Sequence, residues 1–369
     1  MKLMKTTEAV GQVLCHDITQ IIPGVKKDAV FRKGHIITKE DIPVLLSVGK
    51  ETIYIWENDE TMMHENEAAE VLYRMSACGT NSNETDAEGH CEATQSGDLD
   101  DIVSKMHPSP VKEGKIEVIA DCDGLLKVDS EKLKKVNSFG EMIIATRHGN
   151  TTVKKGDKLA GTRIIPLVIK KDKLKEASNI CEDGPILDIK PFVVRKAAII
   201  TTGNEVYHGR IQDAFTPVIE KKIAEFGAQM MFHEVFDDDD KKITDGCLRA
   251  IEAGAEIVFC TGGMSVDPDD KTPLAIKNTG ARIVSYGSPV LPGAMFLLSY
   301  YDAGDRLVPI CGLPGCAMYN KRTIFDIVLP RLMACDMILA DELAGLGEGG
   351  LCLNCDVCTF PNCGFGKGF

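Results

Sequence analysis

The 369-residue chain carries 55 Asp and Glu against 42 Lys and Arg, a formal net charge of −13. This length holds about two or three domains with ample cores, and the acidic balance argues against a general nucleic-acid or membrane-surface binder. No apolar run approaches the roughly 20 residues of a membrane span, and residues 1–17 show no signal-peptide pattern, so a cytoplasmic protein is expected. Of the 14 cysteines, four crowd the C-terminus. Most of the others, among them Cys15, Cys122, Cys181, Cys247, Cys260 and Cys311, read as small buried apolar residues in a reducing compartment.

Residues 1–75 read as an α+β module. The run 29–31 precedes an Arg32-Lys33-Gly34-His35 turn, 41–46 reads as a short helix closed by Gly49, and 52–56 as a strand. A second helix opens at His64-Glu65, with Ala68, Val71, Leu72 and Met75 on one side. The early acids Glu65 and Glu67 suit its dipole. Residues 76–112 are polar, acidic and poor in branched apolar side chains, and read as a flexible linker. His90 and Cys91 within it do not make a site. Residues 113–194 read as a small β-rich domain: 116–120 and 123–128 as a hairpin or bend, 142–147 as a further strand, His148-Gly149-Asn150 as a turn, and 153–167 completing the module.

From Lys196 the rhythm becomes β-α-β. Strands at 197–201, 230–235 and 256–259 alternate with two helices. One is capped by Thr216, with Pro217 at its first position and Ile219, Ile223 and Phe226 along one stripe. The other follows the acid run 237–240, with Ile243, Cys247, Leu248 and Ile251 on one face. A helix over 272–280, a strand at 282–286, a hairpin pair at 295–300 and 307–310, and a long helix over 316–332 follow. This alternation predicts an α/β fold, a three-layer, mostly parallel sheet over 195–335 preceded by the small β-rich domains. Ligands of such sheets bind at the carboxyl ends of strands, where the loops 202–213, 237–240, 262–272 and 312–316 should gather.

The loop Cys260-Thr261-Gly262-Gly263-Met264-Ser265-Val266-Asp267-Pro268-Asp269-Asp270-Lys271-Thr272-Pro273 is the most informative. Strand, glycine turn and helix in that order present N–H groups to an anion. Gly262 and Gly263 lack a Cβ, so a phosphate or planar ligand can approach the main chain. Thr272 reads as an N-cap with Pro273 as the first helical residue. Asp269 and Asp270 supply hard oxygen atoms suited to Mg²⁺.

Taken together, Thr202-Gly203-Asn204-Glu205, Gly262-Gly263-Met264-Ser265-Val266, Asp269-Asp270 and Gly312-Leu313-Pro314-Gly315 resemble the molybdopterin-binding domain of molybdenum-cofactor biosynthesis proteins. Over residues 195–335 the chain looks closest to the molybdopterin molybdenumtransferase family. The resemblance implies that Gly262, Gly263 and Ser265 cradle the terminal phosphate of the pterin. Thr202, Gly203, Asn204, Asp213, Lys271, Pro314 and Gly315 would complete the cofactor site, while Glu205, Asp238 and Asp269 or Asp270 would serve Mg²⁺ and molybdate. A homodimer is implied as well. Asn204 stands where the family carries aspartate, and Cys316-Ala317-Met318 where it carries Asn-Pro-Val. The family's Ser-x-Met-Asp-Gly-Tyr-Ala segment, which brings a catalytic aspartate from another domain, has no counterpart. The run 267–273 leans towards the sister group that adenylates molybdopterin.

Three functions therefore stand open. The first is insertion of molybdenum into molybdopterin or its adenylate, with Glu205, Asp269 and Asp270 as catalytic residues. The second is a non-catalytic carrier that docks on a molybdoenzyme, and the third is adenylation of molybdopterin. Residues 336–369 form a Gly- and Cys-rich tail in which Cys352, Cys355, Cys358 and Cys363 give C-x2-C-x2-C-x4-C. Four thiolates at that density can wrap one ion or cluster, and both Zn²⁺ and [4Fe–4S] suit them.

Overall fold

The computed structural model describes residues 2–22, 26–55, 59–79, 105–265, 267 and 270–368. Trp56, His90, Cys91, Asp269 and most of the expected linker lie outside the described residues. The chain divides into two compact units, the first made of residues 1–122, 128–147 and 155–188, the second of 123–127, 148–154 and 189–369.

In the first unit an antiparallel sheet runs in the order Met106–Pro108, Lys115–Ala120, Lys158–Ile164, Met142–Thr146. Ile116, Val118 and Ala120 point inward at period two and face the helix Glu65–Ala77. That helix buries Ala68, Leu72 and Met75 completely, and the His64 ring caps it by accepting the Asn66 N–H at 3.2 Å. A smaller core of Ala9, Leu14, Ile18, Ile37, Leu45 and Ile53 holds the N-terminal part. The helix Lys171–Asn179, which buries Leu174 and Ala177, has no side-chain cap to announce it.

Of the hairpin or bend expected across 116–120 and 123–128, the chain bends at 121–122 and forms no hairpin, because Lys115–Ala120 and Gly124–Val128 belong to different sheets. Gly124 instead lies so close to the Lys190 carbonyl that an added Cβ would stand 2.6 Å from it.

The second unit is built on six strands, β1 (Lys196–Thr202), β2 (Gln229–Phe236), β3 (Ile257–Thr261), β4 (Arg282–Tyr286), β5 (Leu297–Asp302) and β6 (Leu307–Leu313). Their order is β2-β1-β3-β6-β5-β4. The first four run parallel, and β5 and β4 are antiparallel additions. Both faces of the parallel part are covered, which is why β1 and β3 read as unbroken apolar runs. Ala197, Ile199, Ile257 and Phe259 pack on Ile219 and Ile223 of α1 (Phe215–Ala224) and on Phe325, Val328 and Leu332 of α4 (Ile324–Met333). Ala198, Ile200, Val258 and Cys260 pack on Ile243, Cys247 and Ala250 of α2 (Asp240–Glu252) and on Ala275 and Ile276 of α3 (Thr272–Asn278). The result is the three-layer α/β arrangement expected from the alternation.

Three local expectations change. The long helix over 316–332 is a 3-10 turn, Gly315–Met318, followed by α4. Thr323 and Asp326 form a capping box that starts a new helix: the Asp326 carboxylate accepts the Thr323 N–H at 2.8 Å. Asp213 rather than Thr216 receives the first N–H groups of α1, those of Phe215 at 2.8 Å and Thr216 at 3.1 Å. Thr272 lies inside α3 and Lys271 takes the cap position, with no side-chain capping bond. Among the scattered cysteines, Cys15, Cys181, Cys247, Cys260 and Cys311 are buried thiols and Cys122 is half-buried, whereas Cys78 is disulfide-bonded. No helix among the described residues is long and apolar enough to cross a membrane.

Behind α4, Asp336 is almost enclosed, with 6% of its surface exposed. Lys127 at 2.8 Å, Lys190 at 2.6 Å and Arg331 at 2.6 Å surround its carboxylate. Burial works to raise its pKa, but the bonds from Lys127 and Lys190 and the Arg331 charge outweigh it and hold the group at about 2. A carboxyl lowered in the folded state stabilises above its unfolded pKa of about 3.8 and loses that contribution as pH falls towards 2. Asp336→Asn should therefore cost about 2 kcal/mol at pH 7, read from urea unfolding, and the difference from wild type should shrink towards zero as the pH is lowered to about 2.

Candidate ligand site at the strand ends

The parallel strands β1, β2, β3 and β6 end level. Thr202 is opposite Phe236, Thr201 opposite Thr261, and Thr261 opposite Leu313. The loops after each strand therefore leave from one edge of one sheet, as their sequence positions led us to expect.

Thr202 ties that edge together. Its hydroxyl donates to the Thr261 carbonyl at 3.1 Å and so accepts from the Thr272 hydroxyl at 3.0 Å, since each hydroxyl has one proton. Gly262 and Gly263 have φ of 82° and 53°. A Cβ on Gly262 would stand 2.1 Å from the Thr202 carbonyl oxygen, and one on Gly263 would stand 2.8 Å from the Thr272 hydroxyl. Both glycines are thus required by the loop's own packing on β1 and α3, a reason separate from close approach of a ligand. Met264 fills the space over Gly312 of β6, and the Tyr286 hydroxyl donates to its carbonyl at 3.1 Å.

The acids are distributed around this loop. Glu205 is exposed beside Gly203, whose N–H donates to the Phe236 carbonyl at 3.2 Å. The Asn204 N–H donates to Asp238 at 3.2 Å. Asp239 caps α2 through the N–H groups of Lys241 and Lys242, which separates the roles of neighbours in the acid run. Asp270 accepts the Ser265 N–H at 2.7 Å and closes the glycine loop. Lys271, half-buried, precedes α3, while Pro314 and Gly315 follow β6 directly. The edge thus carries Glu205, Asp238, Gly262, Gly263, Ser265, Asp270, Lys271, Pro314 and Gly315.

Asp213 has other work. Besides capping α1 it accepts the Thr201 hydroxyl at 3.0 Å and the Thr216 hydroxyl at 2.5 Å. Both hydroxyls lie 3.2 Å from His233 Nε2, which must then carry the proton and donate to them. Burial would raise the Asp213 pKa, yet the bonds from Thr216, Phe215 and Thr201 outweigh it and keep the carboxyl below its ordinary value. Thr201 and His233 were not singled out by the sequence, and Thr216 only as a helix cap, because a threonine on a strand and a histidine in the next one carry no motif. The Thr261 hydroxyl, wholly buried at the end of β3, has no partner among the described residues.

Among the described residues, no three His, Cys, Asp or Glu side chains converge to hold a metal ion. The donor chemistry of Glu205, Asp238 and Asp270 still suits Mg²⁺, which is commonly held by one or two carboxylates with water and substrate phosphates completing the shell.

Residues 198–334 match a family model described as a probable molybdopterin binding domain. The second unit therefore carries a molybdopterin-binding domain of the kind found in molybdenum-cofactor biosynthesis proteins. Residues 3–57 match a domain of unknown function. Among similar proteins, one from Bacillus velezensis is 29% identical over 90 residues, 24% of this chain and 21% of that protein. One from Bacillus cereus is 32% identical over 129 residues, 35% of this chain and 30% of that protein. Both are described as competence-damage inducible, and the chain spans only about a fifth to a third of their length. The tungsten cofactor synthesizing protein MoaB from Pyrococcus furiosus is 18% identical, with 38% of this chain and 88% of that chain covered at a TM-score of 0.30. The molybdopterin biosynthesis Mog protein from Mycobacterium ulcerans is also 18% identical, with 41% and 99% covered at a TM-score of 0.30.

The Gly262 contact can be measured. Gly262→Ala should lower stability by about 2–3 kcal/mol, since it combines left-handed strain with a backbone collision. Gly254→Ala, at φ 98° with nothing within 4 Å of the new Cβ, should cost only about 1 kcal/mol. Equal losses in urea unfolding would show that the Thr202 contact does not hold the loop.

Proposed function

We propose that this chain acts in molybdenum-cofactor biosynthesis, binding molybdopterin or its adenylate at the rim of the second unit and inserting molybdenum supplied as molybdate. The observation that carries the reading is the gathering of four loops at the level ends of four adjacent parallel strands, within the segment matched by the molybdopterin-binding family. In this reading Gly262, Gly263 and Ser265 receive the terminal phosphate, Thr202, Gly203, Asn204, Pro314 and Gly315 wall the pterin, and Lys271 meets a phosphate oxygen. Asp213 acts one step back, holding α1 and the returning loop.

Molybdate bonds the two dithiolene sulfurs and gives up one oxygen, which leaves as water with the two thiol protons, while a second water cleaves the adenylate's pyrophosphate bond and AMP leaves. Such a reaction asks the protein for position and for offsetting charge rather than for a nucleophile. Glu205, Asp238 and Asp270, together with Asp269 next in sequence, would hold Mg²⁺, which when bound neutralises charge on phosphate oxygens. A homodimer sharing the site between chains belongs to the same proposal.

A carrier that delivers the finished cofactor to a molybdoenzyme is the second reading. It is favoured by the lack of a counterpart to the family's Ser-x-Met-Asp-Gly-Tyr-Ala segment. Adenylation of molybdopterin, favoured by the run 267–273, is the third.

One incubation separates them. The chain is given adenylated molybdopterin with molybdate and Mg²⁺, or molybdopterin with ATP, and pterins and nucleotides are resolved by chromatography. Insertion predicts loss of the adenylate with release of AMP, slowed at least about tenfold in Glu205→Gln. Adenylation predicts consumption of ATP, and a carrier retains pterin without consuming either. If pterin is not retained at all, every version of the proposal fails.

A further inference from the structure

The tail is folded onto the second unit. Leu291 and Cys352 exchange backbone bonds with it: the Leu291 N–H donates to the Gly350 carbonyl and the Cys352 N–H to the Leu291 carbonyl, both at 2.8 Å. Phe365 is buried in the same core as α4 and the sheet, with Phe360, Cys352 and Cys363 packed against it. Gly350 lies so tightly on Pro289 that an added Cβ would stand 2.3 Å from its carbonyl oxygen. The chain between Cys352 and Cys363 is therefore held in place from both sides.

Within that frame Cys352, Cys355, Cys358 and Cys363 all line one cavity of about 230 Å³, walled by Leu351, Phe360 and Phe365. Two cations stand at it. Arg322 lies over the Phe360 ring at 5.0 Å, and the Lys321 ammonium donates to the Asp356 carbonyl at 3.3 Å.

Size decides between the two occupants. Four thiolates around one Zn²⁺ at a Zn–S distance of about 2.3 Å would stand within about 4 Å of one another. No such convergence exists among the described residues. Charge points the same way: four thiolates on an oxidised [4Fe–4S] core leave about two net negative charges, and Lys321 and Arg322 are positioned to offset them.

We propose that Cys352, Cys355, Cys358 and Cys363 ligate a [4Fe–4S] cluster in this cavity. The site goes beyond the pterin reading and does not depend on it. Cys355 and Cys358 are exposed, as are the intervening Val357 and the neighbouring Leu353, so the cluster lies at the protein surface.

The full chain, purified without oxygen and then incubated with ferrous iron, sulfide and thiol, should hold about four iron and four acid-labile sulfide per chain. It should show a broad visible absorption that dithionite bleaches. Cys355→Ala and Cys358→Ala should lose that absorption, and Cys335→Ala, an exposed thiol outside the cavity, should keep it. The wild-type metal count stands even where a tail variant fails to fold. About one zinc per chain without sulfide, no metal after reconstitution, or a cluster that survives loss of the tail cysteines would each overturn the proposal.

Discussion

The second unit depends on four parallel strands ending at the same level, and Thr202 is the residue that fixes that level. Its hydroxyl bridges the end of β3 and the start of α3, and its carbonyl occupies the space that any side chain at Gly262 would need. A hydroxyl bond of this kind contributes only about 1 kcal/mol on its own. Its importance is geometric, because its partners, at the end of β3 and the start of α3, flank the glycine loop on either side. Replacing either glycine would move the turn, and with it Ser265 and Asp270, which are joined by a single N–H bond.

An acidic chain that receives an anionic ligand must arrange its charges locally. The acid run from Asp237 to Asp240 shows how. Asp239 is consumed as a helix cap, Asp238 takes the Asn204 N–H, and Asp237 pairs with Lys242 at 2.8 Å. Asp213 is likewise occupied by hydroxyls and cap N–H groups. Much of the negative charge near the rim is thus already compensated by the protein. Glu205, exposed beside the Gly203 turn, is the acid left facing outward there, and Tyr286 feels Asp270 closely enough that this charge adds to burial in raising its phenol.

The sheet was legible because its signals are collective. Unbroken apolar runs at β1 and β3, a glycine after each of α1, α2 and α3 and acids before α2 agree with one another, so the order of elements and the meeting of the loops could be read from the chain alone. What the sequence hid was pairwise. Nothing in Thr201, Thr216 and His233 announces that they share Asp213, and the bland cap at Lys271 looks weaker than the threonine after it. The run 123–128 has the composition of a hairpin partner, but its place was decided by Gly124 fitting under Lys190, a contact 66 residues away in the chain. The segment 316–332 has helical composition throughout, and only the reciprocal Thr323–Asp326 bonds stop it from being continuous.

That interruption is also what connects the rim to the tail. A continuous helix from Cys316 would have carried Lys321 and Arg322 along its surface as ordinary solvated cations. Because the 3-10 turn ends and α4 begins afresh after the Thr323 cap, these two residues lie in a short bend between them. Arg322 then bonds Asp326 at 2.9 Å while stacking over Phe360, and Lys222 of α1 pairs with the same carboxylate. One buried aspartate therefore caps α4, anchors α1 and orients the arginine that faces the tail cysteines. The turn Gly312-Leu313-Pro314-Gly315 lies immediately upstream, so a few residues connect the proposed pterin rim to the cysteine-lined cavity.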